Sequence, residues 1–143
     1  MGFLILILSV VLGAIHLIRG LVTLLRSREQ LLKAPATSWV ADRTATQVRG
    51  IGLVRLIGAA GLFLPWYASE VLATPFTIWV LPVLTPVAAA LLGVTQLLIL
   101  LMHQHRDEEE FVPADVGLVA LALAVAALRA VELVIGCWGC APS

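Results

Sequence analysis

Cys137-Trp138-Gly139-Cys140 is the one pairing in this chain whose residue types and spacing suit covalent or redox chemistry. A helical turn or tight bend brings thiols so spaced within disulfide reach, so Cys137 and Cys140 are a candidate disulfide or redox pair. The pair follows the carboxyl end of an apolar run, where the helix dipole disfavours a thiolate, and the nearest cation is Arg129. A static disulfide, two inert thiols and a cycling pair all fit that setting. Two thiolates do not complete a tetrahedral zinc site. The run His103-Gln104-His105-Arg106-Asp107-Glu108-Glu109-Glu110 is richer in ligand types, but it is short and lacks a fixed geometry, so it reads as a solvated turn. No metal site is assigned.

The other groups with chemical potential lie within apolar surroundings. A charged side chain at bilayer depth costs about 2.5–3.5 kcal/mol, so those present pair, snorkel to the interface or serve a function. His16 and Arg19 are three residues apart and share a helix face; Arg19, Arg55 and Gln96 fall in one half of the membrane, with His16 nearer the middle. These four are candidate contacts for a quinone, a lipid head group or an anion, with two positive charges and no carboxylate expected in their layer. Arg129 and Glu132 are also three apart and form a self-neutralising structural ion pair.

The elements that must position these residues follow from composition. The 143 residues are 61% hydrophobic and 13% charged, with a mean hydropathy of +1.04, far outside the range of a soluble domain. Four runs of membrane-spanning length, at about residues 3–25, 49–66, 77–102 and 114–136, predict one all-α, integral membrane four-helix bundle with an interfacial loop over 26–48. The first run lacks basic residues ahead of it and a small-residue cleavage pattern, so it reads as a retained helix.

Orientation follows the basic residues. Arg26, Arg28, Lys33, Arg43 and Arg49 lie in or beside the first loop and Arg106 in the third, whereas the second loop and both tails carry neither Lys nor Arg. Loops one and three are therefore expected in the cytoplasm and both termini outside, in the inner membrane of a prokaryote. Trp66, Tyr67, Trp79 and Trp138 would form an outer aromatic belt, and Trp39 would anchor a short interfacial helix starting at Ser38. Zero formal net charge leaves no basic face for nucleic acid, so the expected partners are membrane lipids and other membrane subunits.

Helices in lipid associate through close backbone approach, and small residues mark the seams. Gly58 and Gly61 mark one on the second helix and Ala122, Ala126 and Ala130 one on the fourth, while Pro82 and Pro86 predict a bend in the third. Arg49-x-x-Gly52 followed by Gly58-Ala59-x-Gly61-Leu62-x-Leu64-Pro65 resembles the core segment of the DoxX-like family of small four-helix membrane proteins. Leu84-Thr85-Pro86-x-Ala88-Ala89, His103 before a loop with Arg106 and Glu108, and Gly20 in the first helix extend the resemblance over most of the chain. The chain departs from it at Arg55, where family members commonly carry glutamate, and at Thr23, where a lysine is frequent.

The family takes its name from a subunit associated with a thiosulfate:quinone oxidoreductase, and some relatives are linked to thiol and oxidant defence. The resemblance thus implies an accessory or assembly subunit of a larger, redox or respiratory, membrane complex. Such a subunit would have no intrinsic cofactor and no catalysis of its own, with quinone or lipid as the molecule it would bind. The alternative is a quinone-linked thiol or sulfur oxidoreductase using Cys137 and Cys140, although a complete relay would need a second cysteine pair.

Overall fold

The structure is a computed structural model that describes the backbone of residues 2–71 and 75–139 and the side chains of residues 3–65 and 83–135. The described residues form helices α1 (Gly2–Leu25), α2 (Arg28–Leu32), α3 (Ala45–Val71), α4 (Pro75–His105) and α5 (Val112–Gly139), with a 3₁₀ helix at Pro35–Asp42, and no strand. Four of them are long and apolar enough to cross a membrane, over Phe3–Leu25, Ala45–Pro65, Val83–His105 and Val112–Ile135. Their outward faces carry leucine, isoleucine and valine in the open, among them Leu53, Ile57, Leu98 and Leu123, as an integral membrane protein presents to lipid.

Local chemistry explains where the observed helices outrun the apolar runs. Thr44 and Gln47 form a reciprocal cap, with the Thr44 N–H donating to Gln47 Oε1 at 3.0 Å and the Gln47 N–H donating to Thr44 Oγ1 at 3.3 Å, so α3 starts four residues before Arg49. It then continues through Pro65, and α4 stays helical through Pro82 and Pro86, because a membrane helix accommodates the single donor each proline removes. Ser27 and Gln30 cap the short α2 in the same reciprocal way.

Packing runs α1 on α3, α3 on α4 and α4 on α5, with α5 meeting α1 only lightly. The close seams are antiparallel and in register. Cβ atoms built at Gly20 and Gly52 would come within 3.1 and 3.2 Å of each other's carbonyl oxygen, so α1 and α3 touch backbone to backbone there. A Cβ on Gly58 would strike Leu92, and one on Gly61 would strike Ala88, which seats α3 on α4. Gly93 faces Ala122 across α4 and α5; Ala126 is half-buried and Ala130 faces outward, so only the first part of that alanine row lies within the bundle.

Two cores result. One, with Leu12, Leu62, Ala89, Leu92, Ala122 and Val125, fills the bundle. The other, with Leu31, Trp39, Val40, Val48 and Ile99, lies where the first loop folds against the helix ends. Trp39 is 2% exposed, so it is not the interfacial anchor expected from the sequence: the loop turns it inward as the centre of its own core. The outer aromatic belt of Trp66, Tyr67, Trp79 and Trp138 lies outside the described side chains.

Candidate functional site

The loop end of the bundle gathers polar side chains from four helices into one layer. Gln96 and His103 are seven residues apart on α4 and so point the same way. α3 runs antiparallel beside them and supplies Arg55. α5 begins just past the turn and supplies Asp115 from its first turn, where the helix dipole favours a carboxylate. α1 adds His16, Arg19 and Thr23. Arg55, Gln96, His103, Asp115, His16 and Thr23 are all buried.

Asp115 organises the layer. Its Oδ1 accepts a 2.5 Å hydrogen bond from Gln96 Nε2 and lies 3.6 Å from Arg19 Nη1, while its Oδ2 lies 2.6 Å from His103 Nδ1. Gln96 Oε1 in turn accepts from Arg55 Nη2 at 3.3 Å. The glutamine therefore couples a buried guanidinium to a buried carboxylate that it does not touch. Thr23 Oγ1 donates to the Arg19 carbonyl at 2.7 Å and leaves the Arg19 side chain free to reach across the α1–α5 seam.

The four residues singled out from the sequence, His16, Arg19, Arg55 and Gln96, thus belong to one neighbourhood, and the expectation that it holds no carboxylate is wrong. Asp115 stands at the head of the fourth expected run, and the short turn before it places it against Gln96 and His103. The readable signal was an acidic residue two positions after Pro113 at the head of an apolar run, where proline favours a helix start. His103 is likewise not part of a solvated turn: it is 2% exposed, while His105, Asp107, Glu109 and Glu110 face solvent. Among the described residues no cluster of three His, Cys, Asp or Glu side chains could hold a metal.

Counting the arginines as cations, Asp115 as an anion and the histidines as neutral, the layer keeps one net positive charge. It also keeps unused hydrogen-bonding capacity, since both ring nitrogens of His16, Nε of Arg55 and Nε2 of His103 are buried without a protein partner. A cavity of about 270 Å³ in the seam between α1 and α5 is lined by Arg55 and His103 of this set. Arg19, Thr23, Arg55, His103 and Asp115 give it polar walls, and Trp39 and Leu31 of the first loop cover it. His16 sits one turn deeper on α1. The chamber's lining takes Ile18, Arg19, Val22 and Thr23 from α1 and Ala114 and Asp115 from α5, so the polar wall lies at the least-packed seam of the bundle.

The cover is held by the turn after α4. Asp107 takes a left-handed conformation (φ 56°), and the Glu108 and Asp107 N–H groups donate to the carbonyls of His103 and Gln104 at 3.0 and 3.2 Å, closing a Schellman cap. The cap folds Glu108 back over His103. There Ser38 Oγ donates to Glu108 Oε2 at 2.5 Å, Arg106 Nε donates to Glu108 Oε1 at 3.0 Å, and Arg106 Nη1 donates to Asp42 Oδ2 at 2.7 Å. The first and third loops are thereby clamped together.

Partial burial opposes ionisation of Glu108, but the hydrogen bonds from Ser38 and Arg106 and the Arg106 charge outweigh it and hold the carboxyl below its ordinary value. A carboxyl depressed in the folded state adds stability above its ordinary range, and that stability is lost as pH falls through the lowered value. Protease cleavage within residues 26–44 should therefore stay low from neutral pH down to the ordinary carboxylate range and rise below it. Glu108→Gln should flatten that dependence.

Arg129 Nη1 donates to Glu132 Oε2 at 2.9 Å, far along α5 from the chamber, with both side chains about one-third exposed. The Cys137–Cys140 pair lies outside the described side chains.

Fold and layer together define a small four-helix integral membrane protein with a polar chamber at one end. The model of the DoxX-like family matches residues 7–127, and the chain belongs to that family. No curated protein and no solved structure matches it.

Proposed function

We propose that this chain is a non-catalytic accessory subunit of a larger redox or respiratory membrane complex, and that it holds an amphipathic, membrane-dissolved ligand of the quinone or lipid kind by its head group. The observation that carries this reading is the chamber at the α1–α5 seam, where Arg19, Thr23, Arg55, His103 and Asp115 give a cavity polar walls and Arg55 Nε and His103 Nε2 keep no protein partner. The positive balance of the layer favours a carbonyl, phosphate or other electron-rich oxygen. Attachment of both neighbouring helices to a tightly packed α3–α4 pair keeps the site preformed, which lowers the ordering cost of binding.

In this reading the loop end faces the cytoplasm of a prokaryotic cell and both termini lie outside. Support comes from Arg26, Arg28, Lys33, Arg43, Arg49 and Arg106, all grouped at the loop end. A head group in the chamber would then sit at the depth of the inner leaflet.

The subunit role is tested by purifying the tagged chain from its native membrane in mild detergent. Stoichiometric partners carrying haem, flavin or iron–sulfur absorption are expected. A chain that emerges alone under conditions preserving known complexes of the same membrane would contradict it.

A further inference from the structure

His103 joins two carboxylates that belong to different environments. On one side its Nδ1 lies 2.6 Å from Asp115 Oδ2, at the chamber wall. On the other its Nε2 faces Glu108 Oε2 at 3.8 Å, within reach of one bridging water or a small side-chain adjustment, and has no other partner. Glu108 stands at the loop surface, one-fifth exposed, whereas Asp115 is buried. The Schellman cap fixes this line by returning Glu108 over the imidazole, and the Phe111 ring, with its centroid 5.4 Å from that of His103, shields it from the side.

From this geometry we infer that Glu108, His103 and Asp115 form a proton path from the loop surface into the chamber, and that the chamber's occupant is a molecule whose head group gains or loses a proton, such as a quinone or hydroquinone. The ligand class rests on the reading of the chamber as a binding site; the path itself does not.

With the imidazole neutral and its proton on Nδ1, Nε2 is an acceptor. A proton arriving from Glu108 forms the Nε2–H bond, the Nδ1–H bond breaks, and its proton passes to Asp115 Oδ2. Asp115 becomes a neutral acid able to donate to an oxygen in the chamber, and reversal of both transfers carries a proton outward. No electron moves in either direction.

The charged groups that bear on the path come from every neighbouring element: Arg19 from α1 against Asp115, Arg55 from α3 through Gln96, and Arg106 and Ser38 against Glu108. Neutralising Asp115 also frees Arg19, whose side chain is 38% exposed in the seam, so proton arrival and access to the chamber are coupled. A lipid whose head group cannot exchange a proton would make no use of the arrangement.

The test uses the full chain in lipid nanodiscs with ¹⁵N-labelled histidine, and reads the exchange of the His103 ring proton with water by NMR. A positioned acid–base group accelerates proton transfer by about 100-fold or more, so Glu108→Gln should slow this exchange by about that factor. Ser38→Ala, which loosens the clamp but keeps the carboxyl, should leave exchange fast, and protease protection of residues 26–44 reports separately whether the loop stays closed. Equal exchange in the wild type and Glu108→Gln, or equal slowing in Ser38→Ala and Glu108→Gln, overturns the path. Retention of decylubiquinone by the same nanodiscs is measured alongside. Retention in the wild type supports the ligand class, and its absence overturns the ligand reading while the exchange comparison still decides the path.

Discussion

Asp115→Ala should cost the bundle about 3–5 kcal/mol, the loss expected when one member of a buried charged set is removed and the others stay behind. The alanine leaves Gln96 Nε2 and His103 Nδ1 without their acceptor and Arg19 and Arg55 without a neighbouring negative charge. Asp115→Asn keeps an oxygen able to accept from Gln96 and should lose less. Reversible unfolding in mixed micelles measures both. A variant series in which alanine costs no more than a surface substitution would show that the layer is not held by this carboxylate.

Coupling within the layer gives the same claim a second readout. Arg55→Met should be destabilising in the wild type and less so in Asp115→Ala, because Gln96 transmits the interaction between the two.

Trp39→Ala should be of similar size, about 3–5 kcal/mol, because it empties the centre of the second core. Trp39 is 2% exposed and shares that core with Leu31, Val40, Val48 and Ile99, so neighbouring side chains have little freedom to collapse into the space. The loss falls on the chamber's cover. Residues 26–44 should become sensitive to protease at neutral pH while the four spanning helices keep their far-ultraviolet circular dichroism. Trp39→Phe should retain most of the protection, and a loop equally resistant in Trp39→Ala would contradict its role as the keystone of the cover.

The four spanning helices were legible because lipid demands long, uninterrupted apolar runs, and nothing else in the chain has that signature. Helix ends were less legible where they depend on side-chain caps: Thr44 and Gln47 extend α3 into a stretch that reads as polar loop. Clustering of His16, Arg19, Arg55 and Gln96 was visible from depth alone, since each lies a countable number of turns from the same membrane face.

Asp115 and His103 were missed for a different reason. Both sit next to a run of charged residues, and only the three-dimensional course of the turn separates the buried pair from its solvated neighbours. Trp39 was misread because a tryptophan beside a membrane helix most often rests at the interface, and the fold of α2 and the 3₁₀ helix into a cap is a tertiary event with no periodic signature. Loop hydrogen bonds hold that cap: Arg28 Nη2 donates to the Ala41 carbonyl at 2.9 Å, and the Thr37 hydroxyl donates to the carbonyls of Leu31 and Ala34.

Arg55 and Asp115 lie on opposite sides of Gln96. The layer therefore keeps a carboxylate alongside its arginines, on a different helix.

The chamber's role as a binding site is tested most directly by what stays bound when the protein leaves its membrane. The wild-type chain and Ala114→Trp, which places a large side chain at the cavity wall on α5, would be extracted in native nanodiscs and their quinones and lipids quantified by mass spectrometry. One amphipathic compound retained at close to one molecule per wild-type chain and lost from Ala114→Trp is the predicted result. The same compounds in the same amounts from both proteins would contradict a ligand-holding chamber and reduce the polar layer to a structural network.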